Sequence, residues 1–202
     1  MSKIRVITDG LMFPEGPIAM PDGSVVLVEI GRGTLTRVFP DGTKEIVAEP
    51  GGGPNGAAIG PDGLCYVCNN GGFAFERGAQ TGNMRPVAQS ADYETGRIER
   101  IDLKTGKVER LYDSCNGYQL KGPNDIVFDR NGGFWFTDLG KVRARDMDRG
   151  AIYYAKTDGS LIKEVIQPFM TPNGIGLSPD EKTLYVAETE SGRLWSYPIT
   201  GE

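Results

Sequence analysis

Three observations in the 202-residue sequence predict an all-β fold of the β-propeller type. A short proline-centred motif occurs four times, and two strand-sized segments follow each copy. Glycine accounts for 29 residues and proline for 13, which is typical of short strands joined by tight turns. Long runs with the apolar period of a helix are absent, so little helix is expected. Repeats of about 40–50 residues that contain four short strands are typical of propeller blades.

Each copy of the motif has Pro, then Glu or Asn, then Gly or Asp, and then a mostly apolar run. The copies occupy residues 13–16, 53–56, 122–125 and 171–174. A turn sequence follows each run, as in Asp22-Gly23 and Asp62-Gly63. A second apolar segment comes after the turn, so the motif predicts the inner hairpin of a blade.

An outer hairpin is expected after the inner one in each repeat. Its first strand begins at a glycine, and these glycines are Gly33, Gly96, Gly150 and Gly192. In the first three repeats a further strand-sized segment follows. The sequence thus predicts four antiparallel blades of three to four strands, and residues 1–202 are expected to belong to a single propeller domain.

Two insertions interrupt the repeats, at residues 70–94 and 140–149. The first is long, glycine-rich and mostly polar, and the second is short and highly charged. Both follow the second strand of their blade, so both are expected at the same end of the fold. Long loops in a compact domain are often functional, which favours a cap over a pocket. A surface excursion without function is the other interpretation.

The residue that opens the innermost strand of each blade is expected near the propeller axis. Rotation about this axis relates equivalent positions, so these side chains should converge at one end. They are Glu15, Asn55, Asn124 and Asn173, with Glu15 as the only carboxylate. Carboxylate and amide oxygens favour one hard divalent cation such as Ca²⁺ or Mg²⁺, with Zn²⁺ and Mn²⁺ as alternatives. Ordinary turn chemistry of Pro-Asn-Gly is the competing interpretation.

A second set of polar residues occurs in phase with the first, at the end of each second strand. Its members are Glu29, Asn69, Asp138 and Glu188. A hairpin returns to the end from which it started, so these side chains are expected to flank the first set. Asn69, Asp138 and Glu188, together with Asn55, are therefore candidates for binding the substrate. The alternative is that polar strand ends simply meet solvent.

Composition excludes several other classes of function. Histidine is absent, so the chain can form neither a Ser-His-Asp triad nor a histidine-rich metal site. The net charge is −5 and no basic stripe occurs, so no nucleic-acid partner is expected. No apolar run approaches the roughly 18 residues of a membrane span, so no membrane partner is expected. Three cysteines and the lack of a signal-peptide pattern predict a cytoplasmic location.

The motif copies also carry a family resemblance. Phe-Pro-Glu-Gly-Pro at 13–17, Pro-Asn-Asp-Ile at 123–126 and Pro-Asn-Gly-Ile at 172–175 resemble segments of the gluconolactonase/regucalcin family. The resemblance extends over essentially the whole chain. It implies a six-bladed propeller with one divalent metal on its axis, for which Ca²⁺ is our first choice, and activity towards sugar lactones.

The same resemblance implies individual roles for three residues. Glu15 and Asn173 match metal ligands of the family. Asn124 matches a catalytic residue beside the metal, which contacts water or substrate and in some relatives coordinates the metal directly. The family has a further acidic ligand in a later blade, and this acid is the usual candidate for the general base.

Only four blade repeats occur here, where the resemblance implies six. We therefore expect the general base to lie beyond residue 202, and the domain to be incomplete with open blade faces that favour self-association. The predicted function is metal-dependent hydrolysis of a small-molecule lactone of the sugar type. A calcium-binding propeller without catalysis and another hydrolase on the same fold are the alternatives.

Overall fold

The computed structural model describes residues 4–78 and 83–200, and in these ranges the chain forms short β-strands joined by turns and loops. This confirms the all-β prediction. The strands are β1 (Pro14–Ala19), β2 (Val25–Glu29), β3 (Thr34–Val38), β4 (Lys44–Ala48), β5 (Pro54–Ile59), β6 (Cys65–Asn69), β7 (Phe73–Arg77), β8 (Met84–Gln89), β9 (Arg97–Ile101), β10 (Val108–Tyr112), β11 (Ser114–Cys115), β12 (Tyr118–Gln119), β13 (Pro123–Phe128), β14 (Gly133–Asp138), β15 (Gly150–Lys156), β16 (Ile162–Phe169), β17 (Pro172–Leu177), β18 (Thr183–Glu188) and β19 (Arg193–Pro198).

The strands assemble into four antiparallel sheets that correspond to the four predicted blades. Blade 1 has the strand order β1-β2-β3-β4, and blade 2 has the order β5-β6-β9-β10. Blade 3 has the order β13-β14-β15-β16, and blade 4 has the order β17-β18-β19. Strands β7 and β8 form a separate hairpin inside the first insertion, and β11 pairs with β12. Inner and outer hairpins of each repeat therefore build one blade, which confirms the propeller prediction.

The second strands of blades 1 to 3 are strongly buried, whereas β18 of blade 4 has the exposed residue Tyr185. In β6 all five residues are buried, and in β2 the four residues from Val26 onward are buried. Strands covered on both faces read as nearly continuous apolar sequence rather than as strict alternation. The outermost strands differ: Lys44, Glu45 and Ile46 of β4 are exposed.

Three apolar clusters fill the spaces between successive blades. Val28 and Val67 are fully buried in the cluster between blades 1 and 2. The rings of Tyr66 and Phe134 lie between blades 2 and 3, with 5.6 Å between their centroids. Leu184 belongs to the cluster between blades 3 and 4. Each fully buried large apolar side chain contributes about 1.5–3 kcal/mol, so these clusters hold the blades in register.

The innermost strands lie side by side around an axis. Strand β1 packs beside β5, β5 beside β13, and β13 beside β17. Among these described strands, β17 does not pack along β1, so the four blades form an open arc of a propeller. Leu194 and Trp195 of blade 4 are exposed. Self-association of the protein through open blade faces stays a prediction.

Two features bear on the predicted compartment. The three cysteines are buried and unpaired, so the structure holds no disulfide among the residues that it describes. Burial raises the pKa of the Cys65 thiol to about 12, which keeps it protonated and unreactive. The ranges 4–78 and 83–200 contain no helix that is long and apolar enough to cross a membrane. A cytoplasmic location stays a prediction.

We expect Phe134→Ala to destabilise the protein by about 3–5 kcal/mol, because it opens a cavity in the aromatic cluster between blades 2 and 3. Urea denaturation followed by tryptophan fluorescence measures the change. Tyr118→Ala is the matched control, since Tyr118 is exposed and should cost less than about 0.5 kcal/mol. Equal losses in both variants would show that this cluster does not hold the blades together.

Candidate functional site

The second residues of the four innermost strands, which follow the motif prolines, meet at one cavity. Glu15, Asn55, Asn124 and Asn173 all line it, and it encloses about 190 Å³. The structure therefore brings together the whole inner set that the sequence predicts. The complete lining consists of Glu15, Gly16, Pro17, Asn55, Gly56, Asn124, Asp125 and Asn173.

A β-bulge in each innermost strand directs these residues towards the cavity. In every blade the motif proline pairs with the last residue of the second strand, as Pro54 pairs with Asn69 and Pro172 with Glu188. The register then shifts within the next few residues, for example between Pro54 and Ala57. A bulge bends a strand and releases the extra residue from the hydrogen-bond ladder, so the motif side chains turn away from the sheet. Proline fits the first strand position because it has no N–H to donate.

Glycine at the third motif position lets neighbouring innermost strands approach closely. A Cβ atom on Gly16 would lie 2.6 Å from the Ala57 nitrogen, and a Cβ atom on Gly56 would lie 2.4 Å from the Asn124 oxygen. Blade 3 has Asp125 at this position instead of glycine. Its carboxylate crosses to blade 4, where it accepts a hydrogen bond of 3.0 Å from the backbone N–H of Ile175.

Asp125 adds a second carboxylate to the inner set. The repeat pattern by itself indicates only Glu15, and Asp125, which that pattern does not single out, lines the same cavity. Its signal in the sequence is that it replaces a glycine present in the other three copies. Burial raises the pKa of Asp125, although backbone hydrogen bonds from Ile175 and Ile126 oppose this shift. Burial also raises the pKa of Glu15, and the negative charge of Asp125 raises it further.

Thr137 links blade 3 to the start of blade 4. It is fully buried, and its hydroxyl donates a hydrogen bond of 2.6 Å to the backbone oxygen of Asn173. The same hydroxyl accepts a hydrogen bond of 3.1 Å from the backbone N–H of Asp125. Thr137 therefore holds the backbone of two cavity residues in fixed relation to each other.

The second set of predicted residues lies beside the cavity but does not line it. Glu29, Asn69, Asp138 and Glu188 are all buried, and none belongs to the lining. Each accepts a backbone hydrogen bond from the segment that leads into its innermost strand; the donors are Met12, Gly53, Lys121 with Gly122, and Met170. Their contacts are thus internal to the blades, while the prediction that three of them bind substrate stays untested.

The insertion at 70–94 packs at the same end as the cavity. The ring of Phe75 in β7 lies 5.4 Å from the ring of Phe13, two residues before Glu15. A second cavity of about 380 Å³ lies between residues 10–14 and the β7–β8 hairpin. Residues 79–82 of this insertion lie outside the described part of the chain. The contact with Phe13 supports the interpretation of the insertion as a cap, which stays a prediction.

Lys141, which follows β14 of blade 3, contacts two aromatic residues of the insertion at 70–94. The side chain is buried, and its ammonium group lies 4.9 Å from the ring centre of Phe73 and 4.4 Å from that of Tyr93. Burial lowers the pKa of Lys141 to about 8, against the opposing attraction of Asp138 and Asp148. Cation–π contacts of this kind contribute about 0.5–2 kcal/mol, so Lys141 stabilises the packing of the insertion on the blade.

The chemistry of the cavity is that of an oxygen-rich site. Its lining supplies two carboxylates, Glu15 and Asp125, and three amide side chains. Within residues 4–78 and 83–200, no group of three or more His, Cys, Asp or Glu side chains is placed to hold a metal ion. Any cation at this site would therefore rely on amide and solvent or substrate oxygens as well as on carboxylates.

The fold and the cavity define a β-propeller with an oxygen-lined pocket at its axis. Residues 13–202 match the family described as SMP-30/Gluconolactonase/LRE-like region, and the chain belongs to this family. The resemblance stated from the motif residues is thereby confirmed.

Two curated relatives illustrate this membership. A gluconolactonase from Zymomonas mobilis is 26% identical over 222 residues, which cover 98% of this chain and 55% of the relative. The lactonase drp35 from Staphylococcus aureus is 31% identical over 197 residues, which cover 96% of this chain and 52% of the relative. The chain thus spans about half the length of the curated relatives that it matches.

Solved structures show the same fold. A gluconolactonase from Xanthomonas campestris superposes with a TM-score of 0.74 at 23% identity, covering 96% of this chain and 61% of that one. A calcium-binding protein, regucalcin, from Agrobacterium tumefaciens gives a TM-score of 0.65 at 20% identity, covering 94% and 55%. At these identities the comparison establishes the propeller architecture alone.

Glycine substitutions test the close approach of the innermost strands. We expect Gly56→Ala to destabilise the protein by about 1–3 kcal/mol, because the new methyl group would overlap the backbone of blade 3. Gly174→Ala is the matched control at the same repeat position, since its nearest neighbour would be 3.8 Å away and its cost should stay below about 0.5 kcal/mol. Urea denaturation measures both. A Gly56→Ala protein as stable as the control would refute the close packing.

Proposed function

We propose that this chain carries the metal-binding part of a divalent-cation-dependent hydrolase that opens lactones of the sugar type. The observation that carries this proposal is the convergence of Glu15, Asp125 and three asparagines on one cavity. Membership in a family with curated gluconolactonase and lactonase members supports the reaction class. The substrate would be a small-molecule lactone, and the physiological role would lie in carbohydrate metabolism.

The cavity residues fit a cation. Glu15 and Asp125 both have raised pKa values because burial leaves their charges poorly solvated, and the charge of Asp125 raises the pKa of Glu15 further. A bound cation would offset both effects, since it attracts the ionised form of each carboxylate. We assign Glu15 and Asn173 as ligands, with Asn124 as a further ligand or a neighbour of the metal. Ca²⁺ is our first choice because it accepts carboxylate and amide oxygens in a flexible geometry, whereas Mg²⁺ demands near-octahedral geometry; Zn²⁺, Mg²⁺ and Mn²⁺ are the alternatives.

Residues of this chain would bind and orient the water and the substrate around the cation. When bound, the cation supplies Lewis-acid polarisation of the lactone carbonyl. The Asn124 amide orients the attacking water or the substrate, and Asn55 contributes a hydrogen-bonding group to the same cavity. Asn69, Asp138 and Glu188 remain candidates for contacting substrate. The general base is not assigned to Asp125, because each of its carboxylate oxygens already accepts a backbone hydrogen bond.

A calcium-binding propeller without catalysis is the second candidate. The same cavity would serve it, and the related Agrobacterium structure is described as a calcium-binding protein. Another hydrolase activity on the same fold would also use the cavity. A panel of sugar and aliphatic lactones, assayed with and without added cation, tests the first candidate: cation-dependent turnover supports the lactonase, whereas cation binding without turnover of any lactone favours one of the other two functions.

We expect Glu15→Gln and Asn173→Ala each to weaken Ca²⁺ binding by about 10- to 100-fold, because the first removes a ligand charge and the second an oxygen ligand. Calorimetric titration of purified protein with Ca²⁺ measures the affinity. Glu190→Gln and Asn131→Ala are matched controls, since both residues are exposed and outside the cavity lining. Unchanged affinity in both site variants would rule out this cavity as the cation site.

If the insertion at 70–94 caps the pocket, shortening it should change substrate binding without changing cation binding. Phe73 and Gln89 are cross-strand partners, so a two-residue Asn-Gly turn can replace residues 74–88 without disturbing either end. We expect this variant to raise KM for lactones or to change the preferred lactone, while its Ca²⁺ affinity stays within about twofold of the parent protein, because the deleted residues supply no cation ligand. Steady-state kinetics and calorimetry measure the two quantities.

Phe75→Ala is the control for that deletion, because it removes the contact with Phe13 and leaves the hairpin in place. If the deletion lowers only the midpoint of thermal unfolding and leaves KM and substrate preference unchanged, the insertion is a structural excursion rather than a cap.

A further inference from the structure

Two residues directly before a motif proline have left-handed backbone conformations without being glycine. They are Phe13, with φ of 56°, and Thr171, with φ of 47°. Positive φ is unfavourable for side chains other than glycine, most of all for a β-branched residue such as threonine. A following proline adds to the cost because it favours extended backbone in the residue before it. Such conformations persist only where surrounding contacts impose them.

Blades 2 and 3 have a different residue and a different backbone conformation before the motif proline. Glycine precedes the motif proline there, at Gly53 and Gly122, and neither glycine has a left-handed φ. A Cβ atom on Gly53 would lie 2.2 Å from the Asn70 side-chain oxygen, and one on Gly122 would lie 2.5 Å from the Gly140 oxygen. The left-handed arrangement is therefore confined to blades 1 and 4, whose innermost strands carry Glu15 and Asn173.

A buried glutamate holds the chain before each left-handed residue, and the residue after that glutamate holds the chain on the other side. In blade 1, Glu29 accepts a hydrogen bond of 2.6 Å from the Met12 N–H, and the next residue, Ile30, donates one of 3.1 Å to the Phe13 oxygen. The first bond holds the Leu11–Met12 peptide group and the second holds the Phe13–Pro14 peptide group, while the Gly31 N–H donates a hydrogen bond of 3.0 Å to the Met12 oxygen between them.

Blade 4 repeats the same pair of bonds. Glu188 accepts a hydrogen bond of 2.9 Å from the Met170 N–H, and Thr189 donates one of 3.1 Å to the Thr171 oxygen. In blade 2 the shorter side chain of Asn69 accepts from Gly53 itself, and in blade 3 that of Asp138 accepts both from Gly122 and from the preceding Lys121. The longer glutamate thus accompanies the left-handed residue in both blades where it occurs.

Both glutamates are themselves held rigidly. The Glu29 carboxylate also accepts hydrogen bonds from the Thr36 hydroxyl, at 2.7 Å, and from Arg32, at 3.1 Å. The Glu188 carboxylate accepts further bonds from the indole N–H of Trp195, at 2.9 Å, and from the Ser191 hydroxyl. A clamp with this many partners can impose an unfavourable conformation on the chain that it holds.

We propose that Glu29 and Glu188 are positioning residues, which hold Phe13 and Thr171 in the left-handed conformation and thereby direct Glu15 and Asn173 into the cavity. In this role each acts through the backbone, and neither lines the cavity. The effect on cation binding rests on the proposed function, whereas the effect on the backbone does not. Outer partners that orient metal ligands typically change metal affinity by about 10- to 100-fold when they are lost.

The test uses blade 4, where the strained residue is a threonine. In Glu188→Gln a single amide oxygen must serve the donors that two carboxylate oxygens serve now. We expect Ca²⁺ affinity, measured by calorimetry, to fall by about tenfold. Adding Thr171→Gly should restore it to within about threefold, because glycine adopts positive φ without steric cost. Thr171→Gly alone should change the affinity little, and Glu190→Gln, an exposed carboxylate in the same loop, is the charge control.

A second readout needs no cation. In nitrogen-15 NMR spectra of the metal-free protein, Glu188→Gln should shift the Met170 backbone amide and the Asn173 side-chain amide. The double variant should return the Asn173 signal towards its original position. A merely stabilising role would lower the unfolding midpoint without moving that side-chain signal.

The outcomes separate the two proposals. If the parent protein binds none of Ca²⁺, Mg²⁺, Mn²⁺ or Zn²⁺, the proposed function fails, and the NMR comparison still decides the positioning role. If Glu188→Gln behaves like Glu190→Gln in both readouts, or if Thr171→Gly rescues neither, the positioning role is refuted. Should Glu188→Gln not fold, Glu29→Gln with and without Phe13→Gly provides the same comparison in blade 1.

Discussion

The close approach of the innermost strands around the axis is the constraint on which this structure depends. Gly16 and Gly56 let each strand contact the backbone of the next blade, where a methyl group would overlap it. Because the strands come this close, the first polar residue of each is brought to a single small cavity. Where Asp125 replaces the glycine, a carboxylate hydrogen bond to Ile175 maintains the contact between blades 3 and 4.

The apolar clusters and the polar end of the blades have separate functions. Burial of residues such as Phe134 and Leu184 between blades supplies stability that is insensitive to the details of the site. At the cavity end, buried hydrogen bonds such as that from Thr137 to Asn173 determine where oxygen atoms point. Bonds of this kind contribute modestly to stability but restrict geometry strongly, which is what a preorganised site requires.

The electrostatics of the cavity follow from this arrangement. Close packing around the axis buries Glu15 and Asp125, so both carboxylates have raised pKa values, and the charge of Asp125 adds to the shift at Glu15. A polar, partly buried pair of like charges is an unfavourable arrangement for the protein alone, and a cation would relieve it. In the backbone, the hydrogen bonds of Glu29 and Glu188 accompany strained conformations at Phe13 and Thr171. Local strain of this kind is retained where it serves the geometry of a site.

The sequence alone determined the four blades, the strand order within them and the convergence of Glu15, Asn55, Asn124 and Asn173, because a repeat in the chain becomes a rotation in space. Only the tertiary structure decided the rest. It revealed that Asp125 joins the cavity and that Glu29 and Glu188 accept hydrogen bonds from Met12 and Met170. The physical reason is that these contacts join residues 17 and 18 positions apart, or lie between different blades, and depend on distances that no local pattern encodes.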